Sequence, residues 1–256
     1  MDATTRRRVA PAAAALMALC ALACAVLVWC LAAPASAAGA PRGYVRVEPV
    51  CPPPAPGEAS CFALAAVPVS AAEAGAPGVR PLAARPAAVE VGPAGGPMTP
   101  KTLASAYGYD PNAGGAGQTI AIVDAFDDPN IESDLAAFSE NYGLAPCTTG
   151  NGCFEKVGQS GSPEALPEPD RSGWSVEVSL DVETAHSACP KCRILLVESD
   201  DAFMTDLAAA VRTAGQLGAQ EISNSYGAPE EGPLGAAERA AYNRPGVVVA
   251  DRKSVV

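Results

Sequence analysis

Histidine and positive charge are both scarce in this chain of 256 residues. The single histidine, His186, leaves little room for histidine-based metal sites or for catalysis by an imidazole base. Lysine and arginine number 17 against 28 acidic residues, so the formal net charge is -11 and no basic surface is expected to attract phosphates. The composition therefore argues against a nucleic-acid partner.

Charged residues are also few, at 18%, whereas hydrophobic residues make up 49% of the chain. A disordered protein shows the opposite balance, so we expect a packed core. Aromatic residues reach only 5%, and the 25 prolines and 24 glycines indicate loosely structured segments beside one medium-sized domain.

The first 37 residues have the pattern of a signal peptide. Three arginines at positions 6–8 precede an apolar run over residues 9–33, and Pro34 introduces the small residues Ala35-Ser36-Ala37. Cleavage after Ala37 would export the rest of the chain, so we predict a secreted protein. The apolar run is also long enough to span a bilayer, which takes about 20 residues, so a retained membrane anchor is the alternative.

Nine cysteines are present, and three of them lie inside the proposed signal peptide. The other six form three pairs at short spacings: Cys51 with Cys61, Cys147 with Cys153, and Cys189 with Cys192. In an oxidising compartment an even set of cysteines predicts disulfides, and these pairings are the simplest. For the Cys189-Pro-Lys-Cys192 segment, half of a zinc site or a redox pair remains open.

Residues 38–97 are rich in alanine, proline, glycine and valine and show no sustained helical or alternating period. We interpret them as a leader, a linker or a short pro-segment. Ordered structure is therefore expected to begin at about Met98.

Predicted helices and strands alternate between Met98 and Ala250. In the first two helices Thr99 and Asn130 are the expected caps, with Pro100 at the first helical position. Helices are predicted within 98–108, 130–143, 174–188, 203–215 and 234–243, and strands over 119–123, 193–197, 221–224 and 246–250. The segment between the second and third helices is expected to be a polar loop. This alternation predicts an α/β fold, a parallel sheet with helices on both faces, and chemistry at the carboxyl ends of the strands.

Two carboxylates, Glu177 and Asp181, lie four residues apart in the helix predicted over 174–188. This spacing stacks them on one face, with about 5 to 6 Å between their Cβ atoms. On an exposed surface the pair would be a solvated helix face, whereas beside a cleft repulsion and desolvation would raise one pKa and leave a shared proton. Because Val178 and Val182 form the adjacent apolar stripe, the pair borders the buried side, which favours a general base suited to acidic pH.

Three segments occur together in this chain: Thr119-Ile-Ala-Ile-Val-Asp124-Ala-Phe-Asp-Asp-Pro-Asn130, Gly173-Trp-Ser-Val-Glu177-Val-Ser-Leu-Asp181-Val-Glu183 and Ser223-Asn-Ser225-Tyr226-Gly227. In order and spacing they resemble the sedolisin family of serine-carboxyl peptidases, over about residues 99–250. The resemblance implies a subtilisin-like fold and an endopeptidase that hydrolyses peptide bonds at acidic pH. In that family a glutamate replaces histidine as the base for a serine nucleophile.

By this resemblance Glu177 is the general base and Asp181 its partner, while Ser225-Tyr226-Gly227 is the edge that pairs with the substrate backbone. Tyr226 can equally be a plain core residue. Asp124, at the end of the first strand, is either a strand-end cap or loop-ordering group, or a supporting residue of the site. A conventional triad would instead combine Asp124 with His186, which we interpret as a structural histidine.

The family's later motifs have no counterpart in this sequence: the Gly-Thr-Ser segment with the nucleophile, the aspartate of the oxyanion site, and the calcium site. Neither Asp251 nor Ser254 has the required glycine context, so we assign no nucleophile, no metal and no other cofactor. We expect the chain as written to be inactive in peptide cleavage. A truncated or frameshifted copy of a longer peptidase would explain this, with the sheet incomplete at the C-terminus and residues 251–256 as a non-matching tail. The short 38–97 segment also gives no ground to expect autoinhibition by a large pro-domain.

These observations are compatible with three functions. The first is an exported serine-carboxyl endopeptidase acting on a peptide or protein substrate. The second is a non-catalytic exported binding protein built on the same half-domain. The third, glycoside hydrolysis by Glu177 and Asp181, is weaker, because its carboxyl groups must flank a sugar across about 5 to 9.5 Å.

Overall fold

The computed structural model of the protein describes residues 43–81, 99–229 and 235–251. The proposed signal peptide lies outside these ranges, as does all of the tail except the backbone of Asp251, so both stay predictions. Within the described ranges no helix is long and apolar enough to cross a bilayer.

The leader, here residues 43–81, is ordered, so the expectation that structure begins at Met98 is wrong. Its strands are β1 (Tyr44–Pro49), β2 (Ser60–Cys61), β3 (Leu64–Val69) and β4 (Val79–Pro81). Three of them form an antiparallel sheet in the order β3-β1-β4. In β1 two valines alternate with Arg46 and Glu48, and Arg46 forms ion pairs with Glu48 at 3.3 Å and Glu73 at 2.8 Å. This alternation is too short to stand out among the prolines and alanines around it.

Residues 99–229 and 235–251 form an α/β domain around a five-stranded parallel sheet, as predicted. The strands are β5 (Thr119–Ala125), β6 (Phe154–Gly158), β7 (Arg193–Ser199), β8 (Glu221–Asn224), β9 (Tyr226–Gly227) and β10 (Val248–Asp251), and all but β9 belong to the sheet, in the order β10-β8-β5-β7-β6. The helices are α1 (Pro100–Tyr107), α2 (Ile131–Tyr142), α3 (Trp174–Ala188), α4 (Met204–Gln216) and α5 (Ala236–Tyr242).

Helices cover both faces of the sheet. Ile122 of β5 and Leu196 of β7 pack in one core with residues of α2 and α3. Their neighbours Val123 and Val197 point to the other face and pack with residues of α4. Strands buried on both faces read as continuous apolar runs, which is why β5 and β7 were predictable. The arrangement is consistent with the expected subtilisin-like architecture.

Local chemistry sets the helix ends, with one difference from prediction. The hydroxyl of Thr99 accepts a hydrogen bond from the Thr102 N–H at 3.1 Å, which confirms the predicted cap of α1. Asn130 occupies the cap position of α2, but its side chain makes no capping bond. Gly143 ends α2 in the left-handed conformation at φ 67°, as expected for a glycine there.

Within the α/β domain, strand β6 is the main element that the sequence pattern does not predict. It lies in the segment expected to be a polar loop, because Glu155 and Lys156 interrupt its apolar residues. In the structure β6 is an edge strand of the sheet, next to β7. Its Lys156 forms ion pairs with Asp127 in the loop after β5 and with Glu198 of β7. Ion pairing, which is invisible in local sequence, makes the charged residue compatible with the strand.

Three disulfides confirm the predicted pairings. Cys51 is bonded to Cys61, Cys147 to Cys153, and Cys189 to Cys192. Because the last two sulfurs are bonded to each other, they are not the thiolates that half of a zinc site would need.

Candidate active site

The acid pair of α3 faces the interior of the protein. Glu177 is fully buried and Asp181 is partly buried, while Val178 and Val182 between and beside them belong to the core under the sheet. The alternative that these carboxylates are a solvated helix face is therefore wrong for Glu177.

Asp124 lies with this pair at the carboxyl end of β5. It is fully buried, and among the residues that the structure describes neither of its oxygens accepts a hydrogen bond, which gives no support to the interpretation as a strand-end cap or loop-ordering group. Burial, followed by the nearby charges of Asp181, Glu177 and Glu198, raises the pKa of Asp124 well above its ordinary value. The structure thus brings Asp124 together with both predicted catalytic residues.

A fourth buried carboxylate, Glu198, belongs to the cluster and is absent from the sequence-based prediction. It stands beside Asp124 in the register of the parallel strands β5 and β7. Burial raises the pKa of Glu198 to about 8, although the Asp128 N–H, which donates to its Oε1 at 2.8 Å, and the Lys156 ammonium at 3.8 Å favour the charged form. The signal that could have found it is its position at a strand end, because carboxyl ends of parallel strands meet at one sheet edge.

Lys156 supplies the positive charge next to these acids. Its ammonium forms an ion pair with the carboxylate of Asp127, donates a hydrogen bond to the Asp128 carbonyl at 2.9 Å, and lies 3.8 Å from Glu198 Oε2. Asp128 in turn accepts a bond from the Asn130 N–H at 3.0 Å. The cation ties β6 to the loop after β5, so it both holds the site together and offsets part of its charge.

Asp170 fixes the start of α3 and was also missed. Its carboxylate accepts hydrogen bonds from the backbone N–H groups of Ser172 at 2.8 Å, Gly173 at 3.0 Å and Ser175 at 2.9 Å, and from the Ser172 hydroxyl at 2.9 Å. Burial raises the pKa of Asp170, but these bonds outweigh it and lower the pKa overall. The carboxylate performs the capping that Gly173 cannot, one turn before Glu177.

Backbone strain occurs next to the site, at Phe126. This residue has φ 66°, a left-handed conformation that costs about 1 to 2 kcal/mol for a side-chain-bearing residue. Its N–H donates to the Ser199 carbonyl at 3.0 Å, which holds the strained turn against β7. Strain of this kind is typical of functional sites, and here the turn leads from Asp124 towards Asp128.

His186 does not take part in the acid cluster. Its Nε2 lies 2.9 Å from the Ala145 carbonyl oxygen, and burial lowers the pKa of its ring. Its potential ligand atom and the sulfurs of Cys147 and Cys153 lie within 4.8 Å of one another, but the disulfide removes the thiolates that a metal would bind. The triad of Asp124 with His186 is therefore wrong, and the interpretation of a structural histidine is supported.

The predicted substrate edge, Ser225-Tyr226-Gly227, follows β8 directly. The side chain of Tyr226 is a core residue, since its hydroxyl donates to Asn224 Oδ1 at 2.9 Å and its ring lies 6.1 Å from that of Trp174. The backbone of this edge pairs antiparallel with β2 of the leader. The leader is thus an extended chain that is paired with this edge. That a peptide substrate pairs with the same edge stays a prediction.

A scan against models of known protein families finds no match, and a search of curated proteins returns no significant relative. The likeness to sedolisins accordingly rests on the three quoted segments.

Proposed function

We propose that this protein carries the base half of an acid-acting serine-type endopeptidase site, with Glu177 as the general base and Asp181 and Asp124 as its supporting carboxylates. The observation that carries the proposal is the burial of Glu177 within a cluster of acids at the carboxyl edge of a parallel sheet. Ligands of α/β proteins bind at this edge.

Chemistry supports the role of a carboxylate here. A base that takes a proton from a serine hydroxyl must be ionised and still basic, and neighbouring acids together with low solvent exposure make a carboxylate more basic. The same neighbours hold their own protons more tightly, as the raised pKa values of Asp124 and Glu198 illustrate. Acidic conditions then limit the total charge of the cluster.

The proposal assigns no nucleophile and no oxyanion donor. The glycine-flanked serine that the reaction needs has no counterpart in this sequence. We therefore expect these residues alone to bind an extended peptide without cleaving it. Hydrolysis would require an extended protein, in which this chain is joined to a segment that supplies a glycine-flanked serine and an oxyanion donor.

Hydrolysis of a peptide library by the extended protein at pH 3 to 5 tests the proposal. Glu177→Gln keeps the shape of the side chain and removes its basicity, so kcat/KM should fall by about 10² to 10⁴-fold. Glu183→Gln is the matched control, because Glu183 lies on the same helix but beside Asp134 of α2. Unchanged activity in Glu177→Gln, or no hydrolysis by the extended protein with Glu177 in place, would overturn the assignment.

We also propose that the protein is exported. Three disulfides in the described part of the chain support an oxidising compartment. Intact-mass analysis of the protein from a culture medium should find an amino terminus at Ala38. Protein that keeps residues 1–37 and sediments with membranes would instead support the retained anchor.

A second candidate is the non-catalytic peptide-binding protein, and it is favoured by the pairing of β2 with β9. It predicts peptide binding at this edge together with no hydrolysis by the extended protein.

A further inference from the structure

Part of the leader lies on the candidate substrate edge as a bound peptide would. Ser60 pairs with Gly227 and Cys61 with Tyr226 in antiparallel register. The Phe62 N–H extends this pairing by donating to the Ser225 carbonyl at 3.2 Å. Backbone bonds of this kind accept any extended chain, so side-chain fit decides which chain binds.

The side-chain pattern of this leader segment alternates. Ala59, Cys61 and Ala63 are only 3%, 5% and 2% exposed, whereas Ser60 and Phe62 between them are less deeply buried. This is the period of two of an extended strand with one face against the domain. All three buried positions hold small residues, which indicates that the surface of the domain under this segment is shallow.

Further contacts hold the start of the segment and the chain before it against the domain. The Ala59 N–H donates to the Ala202 carbonyl at 2.7 Å, and the Gly57 carbonyl accepts from the Met204 N–H at 3.1 Å. Val50, next to the Cys51–Cys61 disulfide, contacts Gly173 so closely that a Cβ there would lie 2.8 Å from Val50 Cγ1. The leader therefore reaches the start of α3, the helix that carries Glu177.

Gly227 adds a second element of recognition. The tip of the Phe62 ring contacts it, and a Cβ at Gly227 would be 2.5 Å from Phe62 Cζ. A glycine at this point of the edge leaves space for the tip of an aromatic side chain. A cavity of about 140 Å³ also remains under the leader, lined by residues that include Pro52, Phe126 and Trp174.

We propose that Ala59–Ala63 occupy a peptide-binding site and mark its preference for an extended peptide with small side chains at alternate positions and an aromatic residue between two of them. This proposal rests on the proposed function in one respect, because it takes Ser225-Tyr226-Gly227 as the edge that binds a substrate peptide. Binding of a peptide there does not require catalysis. In the intact chain the leader holds the site, so a peptide added in solution must compete with it.

Binding of a fluorescent peptide Ala-Ser-Ala-Phe-Ala, in which alanine replaces Cys61, tests this proposal on the full chain. Phe62→Pro removes both the N–H that bonds Ser225 and the aromatic ring, and should release the leader strand. Because one lost hydrogen bond and one lost ring contact weaken docking, we expect the peptide to bind this variant at least about tenfold more tightly than the unmodified chain. Replacing the central alanine of the peptide with leucine should weaken binding by a similar factor.

Two controls keep the result decisive. Glu140→Gln, at an exposed position of α2, should leave peptide binding unchanged. Because binding is measured on a chain to which no nucleophile is assigned, its outcome does not depend on the catalytic proposal. If Phe62→Pro does not fold, as judged by circular dichroism, the pair Cys51→Ser with Cys61→Ser opens the leader loop while keeping every backbone donor. Equal binding to the unmodified and opened chains, no binding to a folded opened chain, or equal affinity for the leucine peptide would each overturn the proposal.

Discussion

At the scale of single residues, the site is defined by carboxylates that the fold keeps out of water. Asp124, Glu177 and Glu198 are all fully buried, and Lys156 is the cation in contact with Glu198. Burying charge costs free energy unless it is paired or neutralised by a proton. The raised pKa values of Asp124 and Glu198 indicate neutralisation by a proton. The native protein therefore keeps protons that the unfolded chain releases.

Protein stability should consequently fall as pH rises. Glu198 titrates at about 8 in the folded state against 4.5 for an ordinary glutamate, so between these values the native state holds an extra proton. Each such proton lowers the free energy of unfolding by about 1.4 kcal/mol per pH unit in that window. Glu198→Gln should flatten this slope in urea unfolding measured from pH 5 to 8. The exposed Glu221→Gln is the control, and an unchanged slope in Glu198→Gln would contradict the assignment.

Asp170 has the opposite linkage. Hydrogen bonds at the start of α3 lower its pKa, so its contribution to stability is present above the ordinary aspartate pKa of 3.8 and is lost as pH falls below it. Asp170→Ala should reduce the free energy of unfolding by about 0.5 to 2 kcal/mol at pH 6, the usual value of a helix cap. Glu168→Ala, exposed in the same loop, should have no such effect. Equal denaturation midpoints for the two variants would count against the capping role.

At the scale of elements, the sequence alone predicts the helices and strands whose apolar residues follow a clear period and whose ends are marked by turn residues. Helix α3 was predicted with its observed limits, Trp174 and Ala188, because Gly173 precedes it and a cysteine-proline turn follows. Strand β8 likewise matches its prediction at Glu221–Asn224. The acid pair needed only the spacing within one helix, and its burial followed from the adjacent valines.

What local sequence could not predict depends on contacts between distant segments. Glu198 joins the site through strand pairing with β5, and β6 is a strand because its lysine finds acids on other elements. The leader is ordered because it forms its own sheet and docks on β9. None of these partners lies near its counterpart in the chain, so no period or spacing reveals them.

The contact between the leader and α3 can be tested at Gly173. Both Gly173 and Gly108 have positive φ, at 101° and 68°, so alanine is strained at either position. A Cβ at Gly108 meets nothing within 4 Å, whereas one at Gly173 would collide with Val50. Gly173→Ala should thus lower the thermal midpoint more than Gly108→Ala. Equal shifts would mean that the leader is not seated on this helix in solution.

At the scale of the whole molecule, the buried acid cluster and the negative net charge both favour acidic conditions. The chain carries a net charge of -11 at neutral pH, and this repulsion weakens as carboxylates are protonated. A buried acid cluster, a capped helix that carries the proposed base, and a leader strand on the neighbouring edge all fit a peptide site that works under acidic conditions. Peptide binding and peptide hydrolysis are separable properties of such a site.

The pH profile of kcat/KM for peptide hydrolysis by the extended protein, in which this chain is joined to a segment with a glycine-flanked serine, tests the role of Glu177 most directly. The account predicts a maximum below pH 6, with activity lost in Glu177→Gln across the whole range and retained in Glu183→Gln. A maximum at neutral pH, or a Glu177→Gln profile that overlays that of the unmodified enzyme, would contradict it.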